Sequence, residues 1–318
     1  MHSVLIAVPT LGRRPVGPLL TELARQAAQV RPSGRAVEIV LLDNSAGGSV
    51  TARRTAAAHD AHYRRVPRRG YAQVRNAALD MAEEHEALVF IDDDEIPLQG
   101  WLEALLKGAD RYGADVVWGP VRAVVPPGSP RWAAGGSTLR RQCPRPDGPL
   151  CRGVAGSGNT LLRTSAVQRT GLRFEEQFDL SGAEDTVFFS KMARAGARVV
   201  WIGSARVVET QDPDRLTLAG LLRRGYRRGA ASAWAQQALE QGWGPRLVVR
   251  RSARMARGVV RIIGGSAVFR PVTVALGAED MAFVSGWGAA VIRALFRACR
   301  RPPTTGAAPL SERVPFQQ

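Results

Sequence analysis

The 318-residue chain carries 44 Lys and Arg against 28 Asp and Glu, a formal net charge of +16, with 45% hydrophobic residues. This composition can bury a sizeable core and leaves room for one large α/β domain plus an appendage, so the chain reads as globular over most of its length. The basic excess alone would suggest nucleic acid or an anionic surface, but all the basic residues except Lys107 and Lys191 are arginines, a skew that follows in part from a GC-rich genome, and no zinc spacing, aromatic-basic interleaving or nucleic-acid motif accompanies it.

Met1 to Val8 enters a strand-like run with no charged leader or cleavage pattern, so a signal peptide is not expected and the active face is expected to be cytoplasmic. Cys143, Cys151 and Cys299 have no paired spacing and no nearby histidine pattern. They read as incidental thiols of a reducing compartment.

Val4 to Val8 is the first predicted strand, followed by Pro9-Thr10-Leu11-Gly12-Arg13-Arg14-Pro15 and a helical pattern at Leu19, Leu20, Leu23, Ala24 and Ala27. A second strand, Val37 to Leu42, stops at Asp43-Asn44 before a Gly-Gly turn. A short third strand near Tyr63 to Val66 precedes a helix from about Gln73 to Glu84. Ala87 to Ile91 then has the length and residue types of a buried parallel strand, and it ends in four consecutive carboxylates, Asp92 to Glu95. Trp101 to Tyr112 is the next helix. The alternation predicts a parallel sheet between helices, with the loops at Pro9, Asp43 and Asp92 converging at the carboxyl ends of their strands.

From Ala114 the pattern changes. Asp115 to Val125 reads as one strand, and Pro126 to Pro149, rich in Pro, Gly and Arg, as a mobile loop or lid. Val154 to Arg163, which contains Gly-Ser-Gly-Asn, reads as a strand returning toward the site, Glu184 to Ala195 as a helix, and Arg198 to Val208 as a strand closing at Glu209. Beyond Leu216 the chain is helical and arginine-rich, with a stripe at Arg246, Arg250, Arg254, Arg257 and Arg261. Met281 to Ile292 is the longest uncharged apolar stretch, too short for a bilayer that needs about 20 residues.

Four adjacent acids repel one another unless a cation or water offsets the charge, and a hard divalent ion holding a substrate phosphate needs only one or two carboxylates. The economical reading is one metal-assisted site. Asp92 to Asp94 hold Mg²⁺ or Mn²⁺ and a nucleotide, while Asp185, at a helix amino terminus that favours its ionised form, accepts a proton from an incoming hydroxyl. Glu184 and Asp185 read equally well as dipole-favouring residues of a first helical turn. Glu209 reads as a solvent-facing strand end or a further ligand. Arg75 reads as an exposed helix arginine or as a fork onto a diphosphate.

Taken in order, PTLGRRP (9–15), EIVLLDN (38–44), GYAQVRNA (70–77), FIDDDEIPLQGW (90–101), GSGN (156–159), GAEDTVFF (182–189) and RRGYRRG (223–229) resemble the family 2 inverting glycosyltransferases of GT-A fold. Within them they are similar to the exopolysaccharide branch typified by succinoglycan glucosyltransferases. The resemblance implies a GT-A domain over residues 1–229, divided into a nucleotide-binding half (1–113) and an acceptor half (114–229). It leaves a helical, basic C-terminal region at 230–318, with a flexible tail from about 302. It implies that Pro9, Thr10 and Asp43 contact the base of a nucleotide sugar, that Arg75 contacts its nucleotide or phosphates, and that Asp92 and Asp93 lie near ribose and diphosphate. Asp94 is then the direct metal ligand, joined by Asp92 and, in this branch, Glu209. The Glu184-Asp185 pair supplies the base, with Asp185 in that role.

The implied reaction transfers a sugar, UDP-glucose being the donor suggested by the branch, to a saccharide or lipid-linked saccharide. An enzyme with such an acceptor suits peripheral contact with an anionic membrane through the arginine-rich helix, although a packed helix with a solvated basic face accounts for the stripe equally well. The main rival, a sugar nucleotidyltransferase, usually opens on a Gly-rich phosphate loop containing Lys, and residues 9–15 have neither Gly repetition nor Lys. A nucleic-acid binder leaves the acid cluster unexplained, because carboxylates repel phosphates.

Overall fold

The computed structural model describes residues 1–130, 132–133, 146–150, 156–179 and 182–299, with the side chains of 297–299 excepted. Most of the expected lid, together with Cys143 and Cys151 and the tail from 302, lies outside these residues.

Strand β1 (Ser3–Thr10) is the axis of the fold, and its interior residues Val4 to Val8 are almost wholly buried. Because successive strand side chains point to opposite faces, Val4, Ile6 and Val8 enter one core layer and Leu5 and Ala7 the other. β1 pairs in parallel with β2 (Ala36–Asp43) and β4 (Ala87–Phe90), and β2 pairs in parallel with β3 (His62–Arg65). Helix α1 (Gly17–Val30) opens with a proline in its first turn and buries Leu19, Leu20, Leu23 and Val30 in the first layer. Helix α2 (Val50–Ala58) starts at Ser49, whose side chain accepts from Ala52 N–H. Helix α3 (Tyr71–Met81) places Val74, Ala78 and Leu79 in the second layer.

Three elements beyond β4 differ from the sequence expectation; of the strand expected over 154–163 only Thr160–Arg163 is strand, 156–159 forming a loop and 154–155 lying outside the described residues. The run 115–125 forms two strands, β6 (Val116–Trp118) and β7 (Val121–Val124), and 198–208 likewise divides into β10 (Val199–Trp201) and β11 (Val207–Thr210). Gly119 sits at the first break, where a Cβ would stand 2.1 Å from the carbonyl oxygen of Ala205. Asn159 bridges the two breaks by donating from Nδ2 to the carbonyls of Pro120 at 3.0 Å and Ala205 at 2.7 Å, while its Oδ1 accepts from Trp101 Nε1 at 2.6 Å. Trp101 opens helix α4 (Trp101–Tyr112), which matches its predicted span.

The main sheet therefore has eight strands in the order β3-β2-β1-β4-β9-β6-β10-β8, where β9 is Thr160–Arg163 and β8 is Gly148–Pro149. β9 runs antiparallel between β4 and β6. The second sheet, β5-β11-β7, takes its edge strand β5 (Glu95–Pro97) from the acid-rich segment itself. Glu95 stands opposite Glu209 in the antiparallel β5–β11 pair. Helix α5 (Thr164–Thr170) follows β9, and helix α6 (Glu184–Arg194) packs Phe188, Phe189 and Met192 into the second layer.

Past a 3₁₀ turn at Pro213–Leu216 come three long helices: α7 (Leu218–Ala238), α8 (Pro245–Ala267) and α9 (Pro271–Cys299). The boundary expected at residue 229 falls inside the continuous helix α7. Close α7–α9 packing depends on glycine, since a Cβ at Gly229 would approach Phe283 O to 1.9 Å and one at Gly286 would approach Tyr226 O to 2.0 Å. Ala235 of α7 joins Phe178, Ala183 and Val187 in a small cluster that ties α7 to α6 and the segment before it.

The arginine stripe resolves differently from expectation. Arg254, Arg257 and Arg261 all reach the carboxylate of Asp280 on α9, at 2.7, 3.1 and 2.7 Å. Burial pushes the Asp280 carboxyl up, but bonds from Arg257 and Arg254 and the charge of both outweigh it and hold its pKa below the usual range. Three of the five stripe positions are thus internal ion-pair partners. Among the described residues no helix is long and apolar enough to cross a membrane.

Candidate active site

β1, β2 and β4 are parallel neighbours, so the loops that follow them share one rim of the sheet. Thr10 and Asp43 are register partners at the ends of β1 and β2, and the half-buried Pro9 precedes Thr10. Thr10 Oγ1 donates to Asp93 Oδ2 at 2.6 Å and accepts from Gly12 N–H at 3.0 Å. Gly12 adopts a φ of +67°, and a Cβ there would strike Ser49, so the tight PTLG turn requires glycine.

Asp43 is fully buried and accepts from Ser45 N–H at 2.8 Å, Ser49 N–H at 2.5 Å and Tyr63 O–H at 2.6 Å. Burial pushes its carboxyl up, but these hydrogen bonds, led by Tyr63, reverse the effect and hold the pKa below the usual carboxylate value. Asp43 therefore shapes the 43–49 turn. Asn44 does the same for the next loop, donating to the carbonyls of Val66 and Arg68 and accepting from Gly70 N–H. Asp179 then accepts from Ala72 N–H at 2.7 Å and Gln73 N–H at 3.2 Å, capping α3.

The segment after β4 turns back on itself, with Asp92 N–H donating to Glu95 Oε2 at 3.2 Å. Asp94 faces two guanidinium groups, Arg14 at 3.7 Å and Arg215 at 3.6 Å, and Arg215 also reaches Glu209 at 3.2 Å. Burial pushes Asp94 up to about 6, reinforced by the charges of Asp92 and Glu209 and opposed by the two arginines. Glu95 is buried beneath them, and burial together with Asp92 raises its carboxyl well above the ordinary range. Asp93 is raised by burial, against the Thr10 bond that lowers it.

The Gly156–Asn159 loop carries the link to the second acidic cluster. A Cβ at Gly158 would lie 2.8 Å from Glu95 Oε1 and 3.0 Å from Asp92 Oδ2, and one at Gly156 would lie 3.5 Å from Asp185 Oδ2. Side chains about ninety positions apart in sequence thus lie against positions two residues apart on one loop. At Gly158 a side chain would force the Glu95 and Asp92 carboxylates to shift, whereas at Gly156 a Cβ would make only ordinary van der Waals contact with Asp185.

Asp185 and Glu184 occupy the first turn of α6 and diverge. Asp185 Oδ1 accepts from Thr186 N–H at 2.6 Å, with its other oxygen toward Gly156. Glu184 points inward to a buried ion pair with Arg75, whose Nη1 donates to its Oε1. Burial pushes Glu184 up to about 7, against the lowering charge of Arg75. Burial also disfavours the charged form of Arg75, but Glu184, Asp185 and Asp92 outweigh it and hold the guanidinium above its usual pKa. The reading of Arg75 as an exposed helix arginine is corrected: the side chain is buried, with its guanidinium 5.7 Å from the Tyr71 ring centroid, 5.8 Å from that of Phe174, and paired with Glu184.

Among the described residues no three His, Cys, Asp or Glu side chains form a ready-made cation cage. The donor chemistry nevertheless fits Mg²⁺ or Mn²⁺. Asp94 is pressed by two like charges and only partly compensated by arginines, and such ions take one or two carboxylates and complete their shell from phosphate and water. Sequence reasoning missed Arg14, Arg215, Asp179 and the inward role of Glu95. Arg14 had a local signal in the GRRP turn, whereas Arg215 and Asp179 reach their partners only through tertiary contacts.

Comparison with known proteins gives consistent matches. The family model described as glycosyl transferase family 2 matches residues 6–169. The succinoglycan biosynthesis protein ExoM of Rhizobium meliloti (strain 1021) is 33% identical over 259 residues, which cover 76% of this chain and 81% of that protein. Among solved structures, residues 1–349 of S. aureus TarS in complex with UDP superpose with a TM-score of 0.51 at 16% identity, covering 94% of this chain and 92% of that one. The same protein in complex with UDP-GlcNAc gives 0.50 at 15% identity, covering 92% of each chain. At that identity the likeness shows the fold, a GT-A mixed α/β architecture with a C-terminal helical region.

Proposed function

The chain belongs to glycosyl transferase family 2, and on that footing we propose that it is a metal-dependent, inverting enzyme. It moves a sugar from a uridine diphosphate donor to a saccharide acceptor in exopolysaccharide assembly. The observation that carries this reading is the Gly156–Asn159 loop, which sets Asp92 and Glu95 beside Gly158 and Asp185 beside Gly156. A donor-holding group and a proton acceptor are thereby adjacent but separate, as direct displacement needs.

Asp94 and Asp92 would hold Mg²⁺ or Mn²⁺, with Glu209 as a further ligand, and a bound ion would neutralise charge on the departing diphosphate. Thr10 and the turn organised by Asp43 would receive the nucleotide base, with Asp93, which accepts from Thr10, toward the ribose. Arg14 and Arg215 offer guanidinium forks suited to diphosphate oxygens. Asp185 takes the proton from the acceptor hydroxyl, whose oxygen bonds to the anomeric carbon. The bond from that carbon to the diphosphate oxygen breaks with its electron pair on the leaving group, and the configuration inverts.

Glu184 is a weaker candidate for the base: its pKa of about 7 suits proton transfer, but its tie to Arg75 gives it a positioning role. ExoM, named for succinoglycan biosynthesis, supports the polymer class, and the TarS complexes support a uridine nucleotide. Glucose is the sugar suggested by the exopolysaccharide branch. A lipid-linked acceptor is supported by apolar residues exposed at the start of α7, Leu218 and Leu222, just beyond Arg215.

The test is a thermal-shift series with UDP-, GDP- and dTDP-sugars with Mn²⁺ or EDTA, followed by product analysis. Stabilisation confined to a UDP-sugar with metal, and release of UDP on turnover, is the expected result. Release of pyrophosphate from a nucleoside triphosphate and a sugar phosphate would instead establish nucleotidyl transfer.

A further inference from the structure

Helix α8 has no acidic residue and six arginines among its 23. Its inner side is spoken for. Arg254, Arg257 and Arg261 reach Asp280, Arg251 lies over the rings of Phe283 and Trp287, and Gly258 and Gly265 abut α9. The outward side is apolar. Val249, Val260 and Ile263 are 66%, 68% and 66% exposed, and the exposed Ala253 and Ala256 fall between them at helical spacing. Phe269, in the turn to α9, is 93% exposed, and Val268 beside it is also exposed.

This stripe is bordered on one flank by Arg246 and Arg250, both exposed. On the other flank Val259 leads to an apolar groove of about 560 Å³ between α7, α8 and α9, lined by Leu222, Tyr226, Ile262 and Met281. An exposed apolar helix face edged by arginines is the chemistry that lies in the boundary between anionic headgroups and acyl chains. Charge complementarity selects the partner, because a face carrying only positive charge repels a second copy of itself but is drawn to anionic lipid.

We propose that α8 and the α8–α9 turn are a membrane-docking surface for an anionic lipid bilayer. Val249, Val260, Ile263 and Phe269 enter the headgroup boundary, and Arg246 and Arg250 engage lipid phosphates. This differs from the arginine stripe read from sequence, since three of those arginines are turned to Asp280. The docking surface does not depend on which sugar is transferred.

The test is co-sedimentation of the full chain with vesicles of phosphatidylglycerol and phosphatidylethanolamine, or of phosphatidylcholine alone, comparing wild type with Val249→Glu/Val260→Glu/Ile263→Glu and with Arg246→Gln/Arg250→Gln. Wild type should partition onto anionic vesicles at least tenfold more than onto neutral ones. The triple glutamate variant should lose that partitioning about tenfold or more, and the arginine variant should lose most of its salt-sensitive part. Thermal stabilisation by UDP-sugar with Mn²⁺ should be equal in all three proteins, so a failed donor reading and a failed docking surface give different patterns. Wild type left in the supernatant with anionic vesicles overturns the proposal. So does a wild-type dimer by light scattering that the triple variant converts to monomer without any vesicle binding.

Discussion

Arg75 of α3 and Glu184 of α6, 109 positions apart, form a buried ion pair. The pair joins the GYAQVRNA and GAED segments, so the aim of the α6 amino terminus, and with it Asp185, depends on a guanidinium no substrate need touch. Breaking a buried pair from one side leaves the other charge uncompensated, at a cost of about 3–5 kcal/mol. Glu184→Gln and Arg75→Met should each lower stability by about that amount in urea unfolding, whereas the double replacement should recover much of it. A loss in the double variant equal to the sum of the two single losses would show that the two residues act separately.

Asp185→Asn preserves shape and the Thr186 N–H contact but removes the proton acceptor. Turnover should fall by a factor on the order of 10² to 10⁴, with melting temperature and UDP-sugar affinity nearly unchanged. Wild-type turnover would assign the base elsewhere, with Glu184 next to be examined.

Asp94→Ala should abolish the dependence of donor binding on metal. Calorimetric titration with UDP-sugar should show tighter binding with Mn²⁺ than with EDTA in wild type, and no difference in the variant. The variant should also keep its fold, because the Asp94 carboxyl, raised to about 6 chiefly by burial and further by the charges of Asp92 and Glu209, is costly to ionise where it stands.

Asp43 gives the acid limb of stability a specific source. Its folded pKa lies below the unfolded value of about 3.9, so its contribution is fully present above that unfolded value and is lost as pH falls through the folded one. Asp43→Asn should cost about 1–3 kcal/mol at pH 7 through lost hydrogen bonds to Ser45, Ser49 and Tyr63. The gap between wild type and variant should narrow below about pH 4 in urea midpoints taken across pH.

Local pattern determined a good deal of this protein. The apolar run into Asp92–Glu95, the parallel alternation before it and the span of α4 were legible because strand and helix periodicity and turn chemistry act over a few residues, and the ordered motifs from PTLGRRP to GAED through their resemblance to a known family. Only the tertiary structure decided the rest. It broke 115–125 and 198–208 into strands of two sheets, where Gly119 meets Ala205 and Asn159 ties both breaks. It turned Arg75 to Glu184, put Arg215 on Asp94, and gave three stripe arginines to Asp280, leaving an apolar face outward. These outcomes depend on where distant segments come to rest and on how burial redistributes charge, and neither is written in the spacing of neighbouring residues.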